Sequence, residues 1–415
     1  MSSSVYAIAT MDTKEEEILY VAECIRSCGV SVKVVNAGTL GSSKGSQGKA
    51  DVSQEEVAEC HPKGAGVVLG NTDRGVAVQA MSDALTEYML RENQKGSVLG
   101  VIGIGGGGGT SLITRPMRAL PIGLPKLMVS TLASGNVAPY VDCSDITMMH
   151  AVVDVAGINK ISSVILGNAA HAIAGMAKNQ EASKANTASS SESDNKATTI
   201  AMTMFGVTTP CVDAVRKDLE KPGQDCLVFH ATGSGGRAME KLVEAELIDA
   251  VLDITTTEVC DEVVGGVLSA GPQRFDVILE KKIPYVMSLG ALDMVNFGGR
   301  ETVPDKFDDR TFYIHNSEVT LMRTTPEECV QIAQWIAKKV NTSTAPVTIL
   351  IPEKGVSMLS VEGQPFHDPE ADKALFETLE KEIQQTEIRQ IKRLPYSIND
   401  AEFSEAILAE YKKFV

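Results

Sequence analysis

Five consecutive glycines, Gly105–Gly109, stand between the apolar run VLGVIGI and a segment, Thr110–Leu120, with the spacing of an amphipathic helix. An apolar run of that length reads as a strand buried on both faces. Without Cβ atoms the chain can turn sharply there and aim several N–H groups at one spot. The helix that follows adds the partial positive charge of its N-terminus. The turn therefore reads as a cradle for phosphate, with Thr110 and Ser111 as caps or hydroxyl donors. A tight turn that needs glycine for packing alone is the alternative. No Gly-Lys-Ser/Thr follows, so this is not a Walker A loop, and no acid is placed as in the dinucleotide fingerprint.

Alternation of strand and helix extends over the first half. VYAIAT precedes the amphipathic stretch Lys14–Cys28, VSVKVVNAG follows, and GAGVVLG, read as the third strand, leads into Val76–Leu90. LPKLMVST precedes a helical segment over Ile158–Met176. After Lys178 comes a polar stretch without bulky hydrophobics, which reads as a flexible linker over 179–196. The pattern then restarts. TTIAMTMFG leads into Cys211–Glu220, CLVFHATGSGG into Arg237–Glu246, and IDAVLDIT into Glu258–Leu268. IPYVMSLGA and VTILIPE read as later strands, and Pro369–Val415 as mostly helix. The class is α/β: two tandem Rossmann-like doubly wound domains with mostly parallel sheets, over 1–178 and 197–415. A chain of 415 residues is long enough for both cores.

A formal charge of −16 disfavours direct nucleic-acid binding, which wants a basic stripe. Phosphate binding survives that charge, because amides, helix ends and a magnesium ion can supply the local positive potential. The eight cysteines form no CxxC pair and read as reduced thiols. Cys24 and Cys28, four apart on a helix, have metal-like spacing but no matching pair elsewhere. No run approaches the roughly 18 apolar residues of a membrane span, and no basic-then-apolar leader opens the chain. The expectation is a cytoplasmic protein with no membrane contact.

Loops at the carboxyl ends of parallel strands gather over one crevice. TMDTKEE should bring Asp12, Thr13 and Lys14 there, and NTDRG should bring Asp73, Arg74 and Gly75. Lys14 and Arg74 suit phosphate, while Asp73 suits a ribose hydroxyl or a water-held magnesium ion. Simple N-capping explains Asp12 and Asp73 equally well. STLASGN adds Ser134, and Asn36 ends the second strand, where a sugar contact is common. In the second half, FHATGSGGRAME resembles another cradle, with Gly233, Gly235 and Gly236 flanked by His230 and Arg237. Asp253, Glu258 and Asp293 at strand ends suit an acid/base or metal cluster, or plain helix caps.

Taken together, DTKEEE, GVIGIGGGGGTSL, LPIGLPKLMVSTLASG, FGVTTPCVDAV, FHATGSGGRAME, VLDITTTEV, ILEKKIPYVMSLGALDMVNFG, LMRTTPEE, PEKGVS and LPYSINDAEF resemble the plant tobamovirus-resistance protein-like ATP-binding family and its uncharacterised bacterial and fungal relatives. The resemblance spans nearly the whole chain. It implies two Rossmann-like subdomains, ATP bound in the first, and a homodimer. It places Gly105, Gly106, Gly107, Gly108 and Gly109 with Thr110, Asp12–Lys14 and Asp73–Gly75 in or beside the nucleotide pocket. Gly107 departs from the plant members, which have serine there, and those members continue into a further barrel-like domain.

The expected function is ATP binding in the first domain, accompanied by magnesium, with a small metabolite or a protein partner on the second. One alternative is an ATP-dependent enzyme that activates a carboxylate or transfers phosphoryl in an interdomain cleft, with His230, Arg237 and Glu258 as candidate catalytic residues. The other is a non-catalytic interaction module in which ATP stabilises the dimer.

Overall fold

A computed structural model describes residues 3–40, 49–69, 71–189 and 197–414. The chain divides into two compact units, Met1–Asp194 and Asn195–Val415. Each is a doubly wound α/β domain.

The first unit runs β1 (Ser4–Ala9), α1 (Met11–Ser27), β2 (Val32–Asn36), α2 (Gln54–Ala58), α3 (Gly66–Leu69), α4 (Arg74–Gln94) and β3 (Val98–Gly105). It continues through α5 (Gly107–Ala119), β4 (Lys126–Ser130), α6 (Ala138–Val141), β5 (Thr147–His150) and α7 (Lys160–Ser189). Its five strands lie in the order β2-β1-β3-β4-β5, every pair parallel. Successive residues of β1 feed opposite faces, as the pleat requires. Val5, Ala7 and Ala9 pack with α1 and α7, while Tyr6 and Ile8 pack with α4 and α5.

Two expectations give way here. GAGVVLG is not the third strand: Gly66–Leu69 forms one helical turn, with Val68 buried in the core beneath α4. Four apolar residues satisfy either period, and tertiary packing decides. The stretch read as a linker begins as helix, because α7 continues past Lys178 to Ser189. No glycine or proline falls between Lys178 and Ser189, and the alanines there favour helix. Residues 190–196 of that stretch lie outside the described residues, as does Gly70.

The second unit comprises β6 (Thr199–Met204), α8 (Thr209–Glu220), β7 (Asp225–His230), α9 (Ser234–Glu244), β8 (Ala250–Thr255), α10 (Glu258–Val264), α11 (Asp276–Lys281) and β9 (Tyr285–Gly290). Then come β10 (Met294–Phe297), β11 (Phe312–Asn316), β12 (Val319–Arg323), α12 (Pro326–Val340), β13 (Val347–Pro352), α13 (Pro369–Glu382), β14 (Arg389–Leu394) and α14 (Ala401–Tyr411). Six parallel strands lie in the order β14-β13-β9-β8-β6-β7. Strands β10, β12 and β11 form a separate antiparallel sheet. The C-terminal segment is not wholly helical, since RQIKRL supplies the edge strand β14. Among the described residues no helix is long and apolar enough to cross a membrane.

Candidate functional site

In the first sheet the chain leaves β1 for β2 on one side, then returns to lay β3 on the other. Such a reversal leaves a crevice at the carboxyl ends of the two inner strands. A cavity of about 450 Å3 opens there, inside the range of roughly 300–1,000 Å3 typical of small-ligand pockets. The turn after β1 contributes Thr10, Asp12, Thr13 and Lys14, and the chain beyond β2 contributes Thr39 and Leu40. Asn71, Thr72, Arg74, Ala77 and Val78 come from the start of α4. Gly106–Gly109 and Asp154 complete the wall.

The helix after the glycines starts at Gly107, three residues earlier than periodicity predicts, with Gly106 as N-cap and no capping side chain. The Thr110 amide already donates to the Gly106 carbonyl at 2.8 Å. The amides of Gly107, Gly108 and Gly109 are therefore first-turn donors with no helical carbonyl behind them. Gly107 and Gly108 are exposed. Gly105 is different. It is buried, and a Cβ on it would lie 2.9 Å from Gly109 Cα, so glycine there lets α5 abut β3. Thr110 is also a brace rather than a ligand contact. It is buried, its hydroxyl donates to the Gly106 carbonyl at 2.8 Å, and it accepts from the Ser130 hydroxyl at 2.6 Å.

Side chains from β1 and β2 stitch the crevice floor. Asn36 Oδ1 accepts from the amides of Met11 (3.2 Å) and Gly38 (2.9 Å), so it holds backbone and does not reach the cavity wall. Asp12 Oδ2 accepts from the amides of Thr39 and Leu40, both at 3.3 Å. Lys14 breaks the helical path of α1 (φ −133°, ψ 29°) one turn from its start. Lys14 and Arg74 both stand on the wall, neither in an ion pair among the described residues.

Asp73 takes the simpler of its two readings. Its Oδ1 caps α4, accepting from Gly75 (2.8 Å) and Val76 (3.1 Å), and neither Asp73 nor Gly75 lines the cavity. Ser134 is exposed in the turn after β4 and is also off the wall. That turn instead brings Thr131 and Leu132 against Gly106 and Gly107. Sequence reasoning missed Thr10, Thr39, Leu40, Asn71, Thr72, Ala77, Val78 and Asp154. The first seven follow a recognised strand or open a recognised helix, so their position was a usable signal. Asp154 follows β5, a strand the pattern did not reveal.

The second glycine cradle already holds an anion, and that anion is Glu258. Its Oε1 accepts from the amides of Gly233 (2.7 Å) and Gly236 (3.0 Å), and its Oε2 accepts from Arg274 Nε (2.9 Å). Arg274 is buried and also meets Glu240 (3.0 Å) and Asp253 (2.8 Å). Burial pushes the Glu240 carboxyl above its usual range, against the pull of Arg274. The glycines here are required by packing. Gly233 has φ +81°, and a Cβ on Gly235 would collide with the His230 carbonyl. Glu258 is thus sealed in the core, while His230 and Arg237 are exposed, so the three expected catalytic residues do not converge on open space. Asp293 sits elsewhere, fully buried, accepting from the Ser357 hydroxyl at 2.7 Å and pushed up to about 6 by burial.

A larger cavity, about 750 Å3, opens in the second unit beside Lys354, His367, Asp372 and Arg393. Its charges are largely engaged: Asp372 by Arg323 (2.6 Å), and Arg393 by Glu380 (2.7 Å). The smaller cavity has the better claim, because it joins a topological switch point to a row of undonated amides. Among the described residues no group of three or more His, Cys, Asp or Glu side chains is placed to hold a metal. Cys24 and Cys28 pack against the core that α1 shares with α7.

Two family models match the chain: the uncharacterised protein family UPF0261 N-terminal domain over residues 3–182, and its C-terminal domain over 197–415. A UPF0261 protein of Rhizobium meliloti is 53% identical over 98% of both chains. A UPF0261 protein of Clostridium tetani is 43% identical over 98% of both. The tomato (Solanum lycopersicum) ToMV resistance protein Tm-1 is 45% identical over 99% of this chain but 55% of its own length. The tomato ToMV susceptible protein tm-1 matches to the same extent.

Proposed function

We propose that this chain, which belongs to the UPF0261 family, binds ATP in its first domain, with the phosphates against the amides of Gly107–Gly109. One observation carries the reading: the fold itself does not need Gly107 and Gly108. Neither has a positive φ, a Cβ on Gly107 would come no closer than 3.7 Å to its neighbour, and one on Gly108 would meet nothing within 4 Å. Glycine in a helix costs about 1 kcal/mol relative to alanine. Two exposed glycines in one helical turn are accounted for if something outside the chain must approach the backbone closely. Lys14, on the turn after β1, and Arg74, at the start of α4, then neutralise phosphate oxygens. Asp12 and Asp154 are the carboxylates able to accompany a magnesium ion, which phosphate oxygens and water would otherwise ligate.

The second domain, in this reading, takes a small metabolite or a protein partner, and the chain acts as a homodimer in the cytoplasm. Binding without turnover is favoured over catalysis by His230, Arg237 and Glu258, because Glu258 is committed to its own cradle. Resistance to a virus is not carried over, since the chain matches the resistance and susceptible tomato proteins equally. The test is calorimetric titration of the full chain with ATP, with and without magnesium. Saturable binding that Gly108→Val abolishes is the expected result. Absence of heat and of any thermal shift at millimolar ATP overturns the proposal.

A further inference from the structure

The larger cavity, of about 750 Å3, lies wholly within the second unit and falls in the range of roughly 300–1,000 Å3 that small ligands occupy. Three pieces of chain line it: the ends of β13 and β14, the segment 360–367, and the first two turns of α13. Main-chain bonds fix these walls. Beyond β13 the amides of Glu353 and Lys354 donate to the carbonyls of Leu394 (3.0 Å) and Tyr396 (3.1 Å), so the two strand ends stay paired. Phe366, fully buried, pins the segment, its amide donating to the Leu359 carbonyl at 2.9 Å. The fold itself therefore shapes this cavity.

Its internal pairs leave a cationic remainder. Of the four acids on the wall, Glu353 meets Arg393 (3.6 Å), Asp372 meets Arg323 (2.6 Å) and Asp400 accepts from the Ser397 amide (2.7 Å). Glu362, exposed, is the fourth. Against it stand two lysines. Lys354 is in no ion pair among the described residues. Lys373 has its ion pair with the exposed Glu377 at 3.8 Å, and such surface pairs are worth little. His367 Nδ1 donates to the Ser360 carbonyl at 3.1 Å, which leaves Nε2 for a ligand. In a chain of net charge −16, lysines left open on a cavity wall call for an anion from outside.

From this geometry we infer that the cavity binds a small dicarboxylic acid, with Lys354 and Lys373 each meeting one carboxylate. This rests on the reading above that the second domain takes a small metabolite, and it names the class. Backbone amides play no part here. Asp368 Oδ1 accepts from the amides of Glu370 and Ala371, both at 3.1 Å, so the start of α13 is filled from within. Side chains must then meet the charge of the ligand. Two lysines are point charges suited to separate carboxylates, whereas a phosphate is usually cradled by a row of amides. Val361, Pro369 and Phe376 supply apolar wall for the carbon chain between the acids.

The experiment is calorimetric titration of the full chain with malonate, succinate, glutarate and adipate, beside sulfate and the diamine putrescine. The expected result is that at least one diacid binds saturably, about tenfold or more tighter than sulfate. Lys354→Gln and Lys373→Gln each weaken that binding about tenfold. Both side chains are exposed, so the melting temperature of either variant stays that of the native chain. Diacid binding that survives both substitutions, or sulfate that binds as tightly, overturns the inference. Putrescine bound in place of the diacids overturns the class of ligand while keeping a metabolite in the second domain. Silence from all six probes overturns the inference and leaves that domain to a protein partner.

Discussion

Glu258 Oε1 lies 2.7 Å from the Gly233 amide, at the place where a phosphate oxygen would sit if this helix start were a ligand site. The two glycine-rich turns of the chain are therefore not equivalent. One is filled from within the protein, and the other faces an open cavity.

Removing the internal anion should be costly. Glu258→Ala leaves Arg274 Nε and two amides buried without their acceptor, and breaking a buried pair typically costs about 3–5 kcal/mol. The expected result is a large fall in the urea midpoint of the second domain, read from Trp335, with ATP binding by the first domain retained. An unchanged midpoint would contradict the role given to this carboxylate.

Gly108→Ala separates the needs of the fold from those of the ligand. A Cβ there meets nothing within 4 Å, and alanine favours helix, so stability should rise by up to about 1 kcal/mol. ATP affinity should fall in the same variant, because the added methyl stands between phosphate and amides. Denaturation and titration of one preparation check both signs.

Lys14→Ala and Arg74→Ala should each weaken ATP binding by roughly tenfold, as expected for one lost charge-assisted contact of about 1.5 kcal/mol. Neither residue is in an ion pair among the described residues, so thermal stability should be unaffected. Binding measured at rising salt should also show a shallower dependence in each variant.

The second domain should lose stability as pH rises from about 4 to 7. Burial pushes Asp261 up to about 7 and Asp293 up to about 6, both above the usual 3.8. A carboxyl with a raised folded pKa binds its proton more tightly when folded, so the folded state holds more protons across that window. Stability then falls with pH until the folded pKa is passed. Urea unfolding at pH 5 and pH 7 measures the slope, and Asp293→Asn should flatten its part of it.

Much of this arrangement was legible from residues alone, and the limits have physical causes. The strands β1, β2, β3 and β4 were visible because long apolar runs end at turn residues. Gly66–Leu69 was misread because four apolar residues carry no period. Strand β14 was missed because an edge strand facing solvent can be as polar as RQIKRL. Site residues fared by chemistry. Lys14, Arg74 and Gly106–Gly109 line the cavity, since a cation or a bare backbone at a strand end has few other uses. Asn36, Asp73 and Thr110 instead satisfy neighbouring main-chain groups, a role short polar side chains share with ligand contacts. Nothing in the order of residues distinguishes an open glycine cradle from one filled by a glutamate 22 positions later.

Gly103 and Gly105 alternate along the face of β3 that meets α5. A Cβ on Gly103 would lie 2.6 Å from Ile113, and one on Gly105 would press on Gly109. The strand thus puts no side chain of its own between itself and the helix, and at Gly105 backbone meets backbone. Any side chain added at Gly105 would push the first turn of α5, and with it the amide row, away from the sheet, so the position of those amides is set by the strand beneath them.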